Sequence, residues 1–489
     1  MSAGPNIVSI SSRSPRATAA EIDASCRWPA GVLLGFAVAW LIGAGVLGTL
    51  AAIKLHAPGF LATSPWLTYG RVQPAAWNAL VFGFGLQAGL ALAVWLVSRL
   101  GGVTFIGGAP LILGSFVWNV GLKIGVVGIL AGASTGLEGL ELPRFATPIL
   151  LVGYLAVAGW ILVTFAHRVE RETYVSQWYL LGALFSFPGI FASGHLLGVC
   201  FPLRGVLQAA VQAWFVHALF TYWFGFIALA VLFYVLPRST GVAVPSRNLA
   251  IFGFWSLSFF GGFGGLARLA GGPLPAYMVA GGIVATVLAL FPLIAVALNL
   301  GPSVRARPLT TAGVAVVGFA RISFAALLLV GVLSGLNAFP GVRRFTQFTL
   351  FGVGLDQLTL WGVYAAGAFA GVYAMIPALA GREWPIPGLA RAHLGLVLAG
   401  VALVAIAYPA GGLVQGTALD SPAIPFFQVV KRFIPFASMG TLAQLLFLSG
   451  SVLLGANLAG LLLIGCRERC VPAVRSFLAP EARPAEVKA

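Results

Sequence analysis

Acidic side chains are scarce in this chain: Asp and Glu number 12 among 489 residues, and charged residues of both signs make up only 8%. A water-soluble domain carries about a quarter of its residues charged, so this composition excludes one. Histidine is scarcer still, with His56, His167, His195, His217 and His393 as the full set. Four cysteines in so long a chain exclude a disulfide-built scaffold. Cys26 and Cys200 are isolated, and Cys466 and Cys470 in "CRERC" have no second pair to complete a zinc site, so they read as reduced thiols. No internal repeat points to the inverted halves of a transporter. Residues 1–29 hold Arg13, Arg16, Glu21, Asp23 and Arg27 with no apolar core, which reads as a cytoplasmic polar tail and excludes a cleavable signal peptide.

Apolar sequence fills the rest. Hydrophobic residues make up 60% and the mean hydropathy is +0.99. Crossing a bilayer takes about 20 apolar residues per helix, because each backbone polar group must be satisfied within its own segment. Twelve such runs are expected, at 31–54, 76–98, 109–132, 146–166, 177–200, 207–236, 248–270, 275–300, 312–336, 350–379, 392–416 and 440–465. The expected fold is an all-α polytopic membrane protein, with a twelve-helix domain over 30–466 and a second cytoplasmic tail over 467–489. Placing both termini in the cytoplasm puts 17 Lys and Arg on the inner side and nine on the outer side, as the positive-inside rule favours. A multi-pass protein of the cell's inner membrane follows. The net charge of +16 is scattered through short loops without forming a stripe, which argues against nucleic-acid binding and leaves the lipid bilayer as the charge's partner.

Lys123, Arg321 and Asp356 are expected as polar groups buried at membrane depth, where a charge costs several kcal/mol unless it is paired or wet. His217 stands about ten residues into its helix, roughly 15 Å deep. It is either a metal ligand or a neutral imidazole bonded to a neighbouring helix. His195 and Cys200, in "FASGHLLGVC", could add coordination beside His217 or simply pack near the interface. Trp66, Tyr69 and Trp77 suit an aromatic belt.

Three stretches carry a family resemblance: "SPWLTYGRVQP" followed by "NALVFGFG", then "RVERETYVSQWYLLG", then "VQAWFVHALFTYWFGFIALAVLFYVLPR". They resemble the second, fifth and sixth helices of subunit I of the haem-copper oxidases, above all the C-family of cbb-type cytochrome c oxidases, over about residues 30–465. The resemblance implies a respiratory electron-transport enzyme with haem b and copper, reducing oxygen at a binuclear centre in the outer half of the membrane. It also implies at least six histidine ligands, one more than this chain contains.

Position by position the resemblance puts Ala76 at the low-spin haem ligand of the second helix. It puts Leu355 and Gln357, in "GLDQLTLWG", at the two haem ligands of the tenth. Ala267 and Arg268 fall on the copper histidine pair, and Gly261 falls near the crosslinked tyrosine. Only His217 matches a copper ligand. Ala and Leu offer iron no donor, and a fixed guanidinium opposes a cation beside it, so the ligand positions argue against oxygen reduction. An ion pair between Asp356 and Arg268 is expected to occupy the vacated cavity, unless Asp356 faces water at the helix end. Three functions stand open: a cofactor-depleted scaffold or subunit of a membrane complex, an oxidase or nitric oxide reductase relative using His217 and His195 with a reduced haem set, and a proton, ion or gas conduit. Other membrane subunits, among them a membrane-anchored cytochrome c, are the expected partners.

Overall fold

The computed structural model describes residues 16–201, 203–311 and 313–478, with side chains described as far as Glu468. Arg13, the side chain of Cys470 and residues 479–489 of the expected C-terminal tail lie outside the described residues.

The described residues form helices joined by short connections. Eleven helices are long and apolar enough to cross a membrane. They are α1 (Ala19–His56), α2 (Tyr69–Gly101), α3 (Gly108–Ala131), α4 (Thr147–Ala166), α5 (Val175–Cys200), α6 (Val206–Thr240), α8 (Ala276–Arg305), α9 (Gly313–Ala338), α10 (Leu350–Ala380), α11 (Pro387–Leu419) and α12 (Phe426–Leu478). The expected seventh span, 248–270, is broken. Helix α7 covers only Arg247–Phe260, and a turn leads into a short 3-10 segment, Gly264–Leu269. At about 1.5 and 2.0 Å per residue the two pieces together reach roughly 33 Å. That is enough to make the twelfth crossing.

The ends also differ from expectation. Helix α1 begins at Ala19, well inside the expected tail of residues 1–29, and a capping box between Thr18 and Glu21 starts it. Its polar residues are satisfied one by one. Asp23 takes hydrogen bonds from Trp95 Nε1 at 3.0 Å and Arg99 Nε at 2.7 Å, and Arg27 Nε donates to the Leu379 carbonyl at 2.6 Å. At the other end α12 runs on to Leu478, past the expected boundary at 467.

Lys123 and Arg321 are exposed rather than buried. Hydropathy cannot distinguish a lipid-facing helix side from an interior one, since both are apolar. Lys123 faces outward on α3, where its aliphatic stem can carry the ammonium toward the headgroups. Arg321 donates to the Val304 and Ala306 carbonyls, each at 2.8 Å, and so neutralises the C-terminal end of α8.

Three helices form the centre. The apolar windows of α2, α6 and α10 are 94%, 83% and 78% buried, against half or less for the others. Each contains a π-helical stretch: Ala79–Gly85, Leu219–Gly225 and Leu358–Ala365. A π turn widens the helix and shifts its carbonyls out of the regular ladder. Here aromatic donors from neighbours collect them. Trp223 Nε1 of α6 reaches the Gly85 carbonyl at 3.4 Å, Tyr364 of α10 donates to the same oxygen, and Trp118 Nε1 of α3 reaches Phe82 at 3.0 Å. The knot fixes the three helices against one another near the middle of α2.

Candidate functional site

Beyond this knot, on the side away from the start of α1, α6 to α10 line a cavity of about 220 Å³. Most of its wall is apolar, including Phe220, Leu257 and Leu355. Its polar side chains are His217, Thr221, Thr286, Ser334, Asn337, Arg343, Thr359 and an ion pair. Arg268 meets Asp356 in a forked geometry, Nη2 to Oδ1 at 2.6 Å and Nη1 to Oδ2 at 3.3 Å. A fork of this kind is the strongest form of carboxylate recognition.

The break in α7 is what brings Arg268 there. Gly264 and Gly265 let the 3-10 segment lie directly on α6: a Cβ at Gly264 would stand 2.6 Å from His217 Nε2, and one at Gly265 would stand 2.6 Å from the Ala213 carbonyl oxygen. The loop after α9 then clamps the segment. Arg343, in the short helix Pro340–Thr346, donates to the Ala267 carbonyl, and Gln347 Nε2 donates to the Ala270 carbonyl at 2.9 Å.

The structure brings His217, Ala267, Arg268, Leu355 and Asp356 together around this one cavity. Ala76 is buried in the N-terminal half of α2, outside its wall. Gln357 turns toward α12, where its Oε1 accepts from Gln444 Nε2 at 3.2 Å. His195 is not brought to His217. It is buried against Phe191 and the edge of Phe215, with ring centroids at 4.2 and 5.6 Å, and its Nδ1 bonds the Phe191 carbonyl at 2.9 Å. Phe215 and His217 are two residues apart on α6, hence on opposite faces.

Two glutamates and an asparagine escaped the sequence reading. The loop between α3 and α4 folds inward, and Glu141 is 6% exposed, accepting from Asn78 Nδ2 of α2 at 3.0 Å. Burial pushes its carboxyl up to about 7, against the pull of that hydrogen bond and of two backbone amides. Glu138 on the same loop is also raised, first by desolvation and then by the Asp356 charge, with Arg268 opposing. Arg343 is pushed down to about 10 by desolvation and by Arg268. The scarcity of acids in the chain was the available signal, since two of the 12 fall in one short loop, "GLEGLELP".

The raised Glu141 carboxyl makes stability depend on pH. A carboxyl whose pKa rises on folding stabilises the protein fully below about 4.5 and loses that contribution as pH climbs through about 7. The loss approaches ~3 kcal/mol at 1.36 kcal/mol per unit. Glu141→Gln should flatten thermal midpoint against pH between 4.5 and 7; an unchanged slope would put the ionisation elsewhere.

The donor set does not fit a haem–copper centre. Leu355 faces the cavity without a donor atom, Gln357 is engaged with Gln444, and a guanidinium locked to a carboxylate stands beside the single imidazole. Among the described residues no three His, Cys, Asp or Glu side chains gather as a metal site. No catalytic step is derived through either cofactor.

The frame nevertheless has clear relatives. The chain is 25% identical over 446 residues to a cytochrome c oxidase subunit 1 homolog of Azorhizobium caulinodans, covering 86% of this chain and 79% of that one. It is 23% identical over 397 residues to the cbb3-type cytochrome c oxidase subunit CcoN1 of Stutzerimonas stutzeri, covering 78% and 81%. A solved heme-copper terminal oxidase dimer superposes with a TM-score of 0.73 at 14% identity, over 94% of this chain and 86% of that one, which shows a shared fold. With residues 29–446 matched by the family described as cytochrome c and quinol oxidase polypeptide I, the chain belongs to that family.

Proposed function

We propose that this protein is a redox-silent member of its family, a subunit or scaffold of a respiratory-type complex in the cytoplasmic membrane with both termini inside. The observation that carries the reading is the Arg268–Asp356 fork. It joins a vacated copper position to the residue between two vacated haem-ligand positions, and so turns a cofactor cavity into a structural contact. Aromatic side chains from α3, α6 and α10 tie the frame together without needing a prosthetic group. Membrane subunits, among them an anchored cytochrome c, are the partners such a frame suits.

The test is an optical spectrum and metal analysis of the purified protein. The expected result is no Soret band and iron and copper each well below one atom per chain. A stoichiometric haem with a Soret band would overturn the reading and favour an oxidase working with a reduced cofactor set.

One observation favours a second reading, a proton conduit. Glu138 lies close enough to Arg268 and Asp356 to feel both charges, and Glu141, poised to titrate near 7, shares its loop. Vesicles reconstituted with the protein and loaded with a pH-sensitive dye decide between them: a proton leak abolished by Glu141→Gln supports the conduit, and tight vesicles exclude it.

A further inference from the structure

A second and larger cavity, about 620 Å³, opens on the face that carries the start of α1, between α1, α10 and α12. Its floor is apolar, from Leu34, Ile376, Leu379 and Leu461, and its mouth holds Arg27 and Arg382. Gly31 and Gly35 lie one turn apart on α1, and nothing stands within 4 Å of a Cβ added at either, so they leave a channel along the helix. Trp28, 65% exposed beside Arg27, sets the mouth at headgroup level.

The charges at the mouth are unbalanced. Arg382 is forked onto Glu468, with Nη2 to Oε2 at 2.5 Å and Nη1 to Oε1 at 3.1 Å. Arg27 bonds the Leu379 carbonyl through Nε alone, and its two terminal nitrogens have no partner among the described residues. Among the described residues the mouth is therefore one positive charge in excess, above a slot of acyl-chain character.

We propose that this groove holds an anionic phospholipid, its phosphate on Arg27 and Arg382 and an acyl chain lying along Gly31 and Gly35. A soluble anion would use the arginines but leave the apolar floor wet. A neutral phospholipid would fill the floor but leave the excess charge without a partner. Only a lipid with a net negative headgroup satisfies both halves of the site.

The full chain, delipidated in detergent, is titrated with phosphatidylglycerol or phosphatidylcholine and examined by native mass spectrometry. One phosphatidylglycerol per chain is expected, with phosphatidylcholine about fivefold weaker, the ratio that one charge contact at a lipid surface supplies. Gly31→Leu fills the slot and Arg27→Gln removes the charge; each should abolish the preference. The lipid-free thermal midpoint reports whether each variant folds, and the two act through different parts of the site, so failure of one leaves the other decisive. Equal binding of the two lipids overturns the proposal, as does phosphatidylglycerol retained at the native level in a folded variant or the binding of neither lipid.

Discussion

Asp356→Asn should lower the thermal midpoint of the detergent-solubilised protein by several degrees. The substitution keeps the volume and one acceptor oxygen but takes from the Arg268 guanidinium its forked carboxylate, leaving only the weaker attraction of Glu138. Removing one partner of a fully buried pair costs about 3–5 kcal/mol. Because Arg268 and Asp356 line a cavity, with side chains 38% and 21% accessible, the expected cost is smaller, about 1–3 kcal/mol. The double variant Arg268→Gln with Asp356→Asn should recover much of the loss, since neither group then lacks a partner. A double-mutant cycle would report the coupling directly. If Asp356→Asn melts with the native protein, the fork does not hold α10 to the end of α7, and the observation carrying the proposed function falls with it.

The larger loss is expected from Gly416→Ala. On α11 a Cβ at Gly416 would stand 1.7 Å from the Phe345 carbonyl oxygen and 2.5 Å from the Phe345 carbonyl carbon, both backbone atoms of the short helix Pro340–Thr346. Side chains can turn away from an added methyl, but this backbone can move only by leaving α11. Overpacking of ordinary cores costs about 1–3 kcal/mol, and with no side chain to absorb the clash the loss should exceed that range. The same short helix carries Arg343, whose guanidinium holds the Ala267 carbonyl, and Arg344, whose Nε reaches Asp420 at 2.7 Å. Displacing it therefore loosens the candidate site as well. Gly395→Ala is the matched control: it lies on the same helix with nothing within 4 Å, and replacing Gly by Ala in a helix gains about 0.5–1 kcal/mol. Comparable melting of the two variants would refute the backbone-contact argument.

Hydropathy is a local property, and the crossings could be read from it for that reason. Where a segment's state depended on a distant partner the reading failed. The polar start of α1 looks like a tail until Asp23 meets Arg99, 76 residues further along. The end of α7 looks like continuous helix until Gly265 is seen against the Ala213 carbonyl. Lys123 and Arg321 looked buried because lipid and protein interior select the same apolar neighbours. Within the site, Asp356 stood out as a rare charge in an apolar run, and Arg268 through the family resemblance. Glu141 did not, because its burial depends on Asn78, 63 positions away.

Composition alone settled that this protein lives in a membrane, and residue identity settled which ligand atoms it can offer, since Ala76 and Leu355 carry no donor in any fold. Tertiary structure alone decided which side chains meet. It turned Ala267, Arg268 and Leu355 toward one cavity, left Ala76 and Gln357 outside its wall, and joined Arg268 to Asp356, 88 residues apart. It also set Glu141 into a pocket where its proton is held near neutrality. Donor chemistry belongs to each side chain singly, whereas pairing, burial and the position of a proton belong to the neighbours that folding supplies.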